Sequence, residues 1–316
     1  MYNNIYIEVF QGVVYTLSSS GKKAHTADLS VTLCGAYGAG NLGDETMLRC
    51  VITALREHCP DIGVSVISRS PADTSRIYGV RGIDRFDLAS LISSLKNSDA
   101  LIFGGGTLLQ TATSRRSLYY YLAVMSLAKR AGCPVVFWGS GAGPVSEKDE
   151  ARMAKALTRN ADILCMRDIM SLEYLKSLGV PEELLVLSAD PVFSVNSPEK
   201  VFRQPETVCF CINSRADEDS LGIMQKAVCA AENAGLKTAF VCMNKADRVL
   251  TEKLFPEREI LPELSAEELS AVLGGMRCFV SMRLHALVLA DIGAAPCVAV
   301  GDDPKLEGFI KYADCG

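Results

Sequence analysis

Three cations in this sequence stand directly after apolar, β-branched runs, where their side-chain types suit anion chemistry. In FVSMRLHALVLADIG, Arg283 and His285 separate such a run from an apolar helical stretch. An arginine there can grip a phosphate or carboxylate through two parallel hydrogen bonds, and a histidine can deliver or take a proton near neutral pH. The helix start beside them adds its own attraction for an anion. In ADILCMRDIMSLEYL, Arg167 and Asp168 follow another apolar run, and Lys305 in GDDPKLEGF follows the last one. The plainer alternatives are a solvated helix start for Arg283 and His285 and a surface ion pair for Arg167 and Asp168. His25 and His58 have no convergent partners and read as surface residues.

A glycine loop poses the second chemical question. VTLCGAYGAGNLGDETML places Gly38, Gly40 and Gly43 in the G-x-G-x-x-G spacing between a strand-like run and a helical one, the pattern of a dinucleotide site. A pyrophosphate needs bare N–H groups and positive dipole at the helix start. Here Asp44 and Glu45 fill that turn with carboxylates, and the second strand ends in ISRS without an acid for the ribose. The nicotinamide reading is thereby weakened, and two others stand beside it. The glycines serve only a tight turn, or Asn41, Asp44 and Glu45 offer acceptors and donors to the hydroxyls of a neutral sugar. IFGGGTLLQ repeats the motif after another strand, with Gly104 to Gly106 in a candidate backbone nest and Gln110 one turn later.

The elements that must position these residues alternate between β-branched runs and helix-period segments, the signature of α/β folds with parallel sheets. Strands are expected near Leu29 to Cys34, Ile62 to Ser68, Asp99 to Phe103, Pro134 to Trp138, Asp162 to Met166 and Leu184 to Leu187. A second series follows at Val208 to Asn213, Lys237 to Met243, Cys278 to Val280 and Cys297 to Val300. Ser146 and Ser265 read as helix N-caps, the latter with Glu268 completing a capping box. At 316 residues the chain is long enough for two domains. We expect an extension over 1–28, a Rossmann-like domain over 29–196, a linker over 197–207 and a second Rossmann-like domain over 208–316. Ligands should bind at the carboxyl ends of the strands, in a cleft between the domains. The chain stops at KYADCG without an obvious closing element for the second domain.

Composition narrows the function classes. A net charge of -5 gives no excess of cations for a nucleic-acid backbone. The twelve cysteines are scattered through apolar runs without C-x-x-C, as expected of small buried hydrophobes in a reducing compartment. With no signal-peptide pattern and no apolar run long enough to span a bilayer, the expected location is cytoplasmic. No His, Cys and Asp cluster has metal-ligand spacing, so no metal and no cofactor is expected.

GAYGAGNLGDE, FGGGTLLQ, SRRSLYYYLAVMSLAKRAGCPVVFWGSGAGP, RDIMSLEYL, ADPVF, SMRLHALVLA and DPKLEGF occur in order between about residues 31 and 311. Together they resemble the polysaccharide pyruvyltransferase family, most of all its bacterial branch that modifies cell-wall polymers anchoring S-layer proteins. The resemblance implies a GT-B-like pair of Rossmann domains and phosphoenolpyruvate as donor. It also implies a lipid-linked saccharide acceptor containing N-acetylmannosamine, with contact at the inner face of the membrane. By the same resemblance Arg167, Arg283 and His285 bind or activate the donor, with Lys305 as a further donor-binding candidate. Asn41, Asp44, Glu45, Gly105, Gly106 and Gln110 are the acceptor-binding candidates. Two departures bear on the acceptor: Thr111 stands where the family usually has an acid, and Ser140 where it has a glutamine. The competing readings are a GT-B glycosyltransferase or sugar-nucleotide epimerase, and a non-catalytic saccharide-binding remnant. Tyr119 to Tyr121 beside Arg115 and Arg116 could touch a lipid-linked acceptor, but a helix with a buried aromatic face is the simpler expectation.

Overall fold

The computed structural model describes residues 29–112, 114–196 and 203–312. The expected N-terminal extension over 1–28 lies outside the described residues. Packing divides the chain into two units, one of residues up to Ala39 together with Met47–Pro191, the other of Gly40–Thr46 together with residues from Val192 onward.

In the first unit the strands β1 (Ser30–Cys34), β2 (Gly63–Ser68), β3 (Arg81–Asp84), β4 (Ala100–Gly104), β5 (Val135–Ser140), β6 (Ile163–Met166) and β7 (Leu185–Leu187) form one parallel sheet. Its order is β3-β2-β1-β4-β5-β6-β7, the doubly wound arrangement. Between the strands run α1 (Leu42–His58), α2 (Pro71–Tyr78), α3 (Leu88–Lys96), α4 (Arg115–Arg130), α5 (Glu147–Asn160) and α6 (Ile169–Ser177). Central strands buried on both faces must be apolar throughout, which is why ALIFG and VVFWGS read as unbroken apolar runs; every residue of β4 and β5 is buried. Phe103 stacks on Phe137 at 4.5 Å in the core of this unit.

The second unit repeats the plan on a smaller scale. Its strands are β8 (Gln204–Cys211), β9 (Lys237–Val241), β10 (Glu259–Ile260), β11 (Met276–Ser281) and β12 (Cys297–Ala299), again parallel and ordered β10-β9-β8-β11-β12. The helices are α7 (Glu218–Asn233), α8 (Lys245–Leu254), α9 (Ala266–Gly274), α10 (Leu284–Ile292) and α11 (Pro304–Tyr312). Phe210, Phe240 and Phe255 pack with Met224 and Val228 in its core.

Several expectations change. Gln204 to Thr207, read as linker, form the first half of β8. The first turn of α1 belongs to the second unit, not to the first domain in which the sequence places it. Ser146 is the N-cap residue of α5, but its hydroxyl donates to Asp149 rather than accepting from the helix start. Ser265 and Glu268 do form the reciprocal capping box of α9. Among the described residues no disulfide links the cysteines, and burial pushes the thiols of Cys34, Cys209 and Cys211 far up.

Helices α9 and α10 meet backbone to backbone: a Cβ on Gly274 would strike the carbonyl of Gly293, and one on Gly293 the carbonyl of Ser270. Gly274→Ala is therefore expected to cost about 1–3 kcal/mol through overpacking, read as a lowered midpoint in thermal or denaturant unfolding.

Candidate functional site

The residues that could do chemistry in the second unit converge on the start of α1. Helix α10 is buried at Leu284 and from Ala286 to Ala290, so His285 is the one polar side chain in that stretch. Its imidazole lies against Gly43: a Cβ built there would sit 2.6 Å from the His285 Cγ and 2.7 Å from its Cβ. The third glycine of the loop is thus required by a neighbouring ring, not by a phosphate.

A dinucleotide reading fails here on hydrogen bonds. The Leu42 N–H donates to the Met243 carbonyl at 2.9 Å, and the Glu45 N–H to the Asn41 carbonyl at 3.0 Å. The N–H groups of Gly43 and Asp44 both donate to Asn41 Oδ1, at 3.0 and 3.3 Å. The donors a pyrophosphate would use are spent within the protein. Asn41, expected to hold a sugar hydroxyl, has its side-chain oxygen committed to this cap.

Asp44 is half-buried in the same turn, and loss of surrounding water pushes its carboxyl up to about 6. The positive field of His285 pulls it back down; Glu45 pushes it up; Arg283 and Lys305 also pull it down. Lys305 itself pairs with Asp303 at 2.6 Å at the start of α11.

Arg283 precedes α10 in extended conformation and directs its guanidinium to Asp247, with Nε donating to Oδ2 at 3.0 Å and Nη2 to Oδ1. Asp247 is fully buried, in the first turn of α8 behind the cap residue Asn244. Sequence reasoning missed it. The available signal was Asn244 followed three residues on by an acid, which reads as ordinary capping.

In the first unit Arg167 follows β6 and is almost wholly buried. Its Nη1 donates to Asp190 at 3.1 Å, its Nη2 to the Thr107 hydroxyl at 2.9 Å and its Nε to Asp168 at 3.4 Å. Asp190 is buried in turn. The surface-pair reading of Arg167 is thereby excluded. A Cβ on Gly141 would lie 3.0 Å from both Nη2 and the Thr107 hydroxyl, so that glycine lets the chain pass over the guanidinium. Asp190 lies in the ADPVF motif, yet neither it nor Thr107 stood among the expected site residues.

The expected nest at Gly104 to Gly106 is not one. The Gly105 N–H donates to the Trp138 carbonyl at 2.9 Å, and the Gly106 N–H to the Met47 sulfur at 3.0 Å. Gly105 and Gly106, at φ of 70° and 69°, serve close packing instead. Gln110 is half-buried in this unit. Of the two departures, Thr111 accepts the Ser146 N–H at 2.7 Å, while the fully buried Ser140 hydroxyl has no hydrogen-bond partner among the described residues. The tyrosines of α4 turn inward: Tyr119 donates to Asp149 at 2.6 Å, Tyr120 to the Arg85 carbonyl at 3.2 Å, and Tyr121 meets Phe103 edge-on. Arg115 grips Asp149 at 2.6 and 2.7 Å.

Parallel doubly wound sheets, each carrying at its carboxyl edge an arginine fixed by a buried aspartate, define an α/β protein of two Rossmann-like units. The sequence family is shown directly: the family model for polysaccharide pyruvyl transferase matches residues 41–304, and the chain belongs to that family. It is a pyruvyltransferase of polysaccharide biosynthesis. A relative, the amylovoran biosynthesis protein AmsJ of Erwinia amylovora, is 21% identical over 90% of this chain and 86% of its own length. Among solved structures, the UDP-N-acetylglucosamine 2-epimerase of Rickettsia bellii superposes with a TM-score of 0.57 at 14% identity, covering 87% of this chain and 81% of that one. The UDP-GlcNAc 2-epimerase of Neisseria meningitidis gives 0.56 at 12%, covering 85% and 82%. At such identities the likeness shows the GT-B-like fold alone. Among the described residues no group of His, Cys, Asp and Glu could hold a metal ion, and no helix is long and apolar enough to cross a membrane.

Gly43→Ala is expected to displace the His285 ring, lowering kcat by roughly a hundredfold and costing about 1–3 kcal/mol of stability through overpacking. Steady-state kinetics beside a melting curve checks this.

Proposed function

We propose that the donor is phosphoenolpyruvate and that the enzyme builds a pyruvate ketal on a saccharide. What supports this reading is the seating of the His285 ring against Gly43, next to Asp44, with Arg283 directly before the helix that carries His285. Arg283 and Lys305 hold the donor's carboxylate and phosphate. Arg167, the other donor-binding candidate, stands prepared in its own unit by Asp190, Asp168 and Thr107.

The reaction needs a proton at the donor's methylene carbon, which becomes a methyl group and leaves an oxocarbenium-like centre at the neighbouring carbon. One sugar hydroxyl attacks that centre and loses its proton; a second hydroxyl then displaces phosphate, closing the ketal. His285 supplies or accepts a proton, or steadies the departing phosphate. Asp44, with a carboxyl that titrates near neutrality, suits the base that takes a proton from an acceptor hydroxyl, with Glu45 orienting the sugar. The acceptor we propose is a lipid-linked saccharide containing N-acetylmannosamine, destined for cell-wall polymer and modified in the cytoplasm at the inner face of the membrane. Its support is the order of motifs from GAYGAGNLGDE to DPKLEGF.

Incubation with phosphoenolpyruvate and a β-N-acetylmannosaminide should yield a saccharide heavier by one pyruvate less one water, with one phosphate released per product. Arg283→Lys keeps the charge that Asp247 requires but loses the planar fork, and should raise KM for phosphoenolpyruvate at least tenfold. An unchanged KM would remove Arg283 from the donor site, and phosphate release without ketal would remove the acceptor reading.

The raised carboxyl of Asp44 also sets a pH dependence. Because its folded value of about 6 exceeds the ordinary value, the protonated form favours folding, and that stability is lost as pH rises through about 6. Asp44→Asn should therefore raise the folding stability at pH 8 by roughly 1–2 kcal/mol after allowance for partial exposure, seen as a higher melting temperature, and leave it unchanged at pH 4. As base, Asp44 must be ionised, so kcat/KM should climb with pH through about 6, and Asp44→Asn should abolish that limb with a loss of roughly a hundredfold or more.

A further inference from the structure

The order β10-β9-β8-β11-β12 reverses direction between β8 and β11, and Arg283 emerges at that switch point. Its partner is built into the unit from several elements. Asp247 Oδ1 accepts the Ser214 N–H at 2.9 Å from the loop after β8, in addition to Arg283 Nη2, and Oδ2 accepts Arg283 Nε. The Asp247 N–H is held by Asn244 Oδ1 at 2.9 Å, and its carbonyl accepts the Thr251 hydroxyl at 2.8 Å. The carboxylate has no exposed surface, while the Arg283 side chain keeps 18%. A guanidinium is planar with its donors in a fixed fork, so fixing the Nε and Nη2 edge also fixes where the Nη1 edge points.

We infer that Asp247 is a positioning residue: it aims Arg283 at the anionic donor without touching the donor itself. The inference rests on the reading of Arg283 as donor clamp. Two consequences of the pair oppose each other. Its negative charge weakens the attraction of Arg283 for an anion, so removal of the charge alone would tighten binding. Its geometry holds the fork in place, and a reacting or binding group displaced by about an ångström costs up to roughly a hundredfold. Positioning and plain electrostatics therefore predict opposite signs.

The test is calorimetric titration of the full chain with phosphoenolpyruvate, beside melting curves. Asp247→Asn keeps the size of the side chain and an acceptor for the Ser214 N–H, and should weaken binding at least tenfold. In an Arg283→Lys background, where no fork remains to be aimed, the same substitution should change affinity less than about threefold. Unchanged or tighter binding by Asp247→Asn overturns the inference, as does a weakening that persists in full with Arg283→Lys. A lowered melting temperature with unchanged affinity marks a purely structural residue and also overturns it. Should Asp247→Asn not fold, Asn244→Ala keeps the carboxylate but releases the turn that carries it; several-fold weaker binding supports the inference, and unchanged binding overturns it. Arg283→Lys with wild-type affinity would instead overturn the donor-clamp reading.

Discussion

The contact of the His285 imidazole with Gly43 is the constraint on which the chemistry of the second unit depends. A histidine in an otherwise apolar, buried helix can reach a neighbouring backbone only where that backbone carries no side chain. Gly43 supplies that opening in a helix whose first turn is already satisfied by Asn41 and Met243. With the ring seated there, the next residue, Asp44, lies in the field of His285, Arg283 and Lys305. The absence of one methyl group thus lets an imidazole ring lie beside the carboxyl of the following residue.

The arginines of the two units are fixed by a common device reached through different elements. Arg167 is held by an aspartate after β7, and Arg283 by an aspartate in the first turn of α8. Burying such pairs is weak as a source of stability, since desolvation offsets most of the attraction. What the pairing supplies in each case is a guanidinium of defined orientation. For Arg167 the arrangement is completed by Thr107 and by the bare Cα of Gly141, which permit a charged group to lie almost wholly inside the protein.

Much of the fold was legible because central strands of a parallel sheet announce themselves as apolar runs. Those that escaped, β3 and β10, lie at sheet edges, where RGID needs only one buried residue and EI none. The candidate cations were legible by their place after strands, and the family by the order of its motifs. The partners of those cations were not: Asp247 looks like a helix-capping acid, and Asp190 belongs to a motif without a visible charge partner in sequence. Residues 104–106 misled for a related reason. A nest is defined by where its N–H groups point, and here they point to Trp138 and Met47, both remote in sequence. Likewise the linker expectation at 204–207 followed proline and charge, whereas the first three residues of β8 tolerate both because they are exposed.

The Met243 carbonyl has a broader meaning for how such folds change ligands. It occupies the first donor of α1 with a backbone oxygen, so an intramolecular acceptor takes the role that a phosphate oxygen plays in dinucleotide proteins with the same glycine spacing. Because any residue at 243 would offer that oxygen, the exchange leaves no trace in side-chain motifs. A helix start with the dinucleotide glycine spacing can therefore be closed to phosphate by one backbone oxygen, while the glycine pattern in the sequence stays the same.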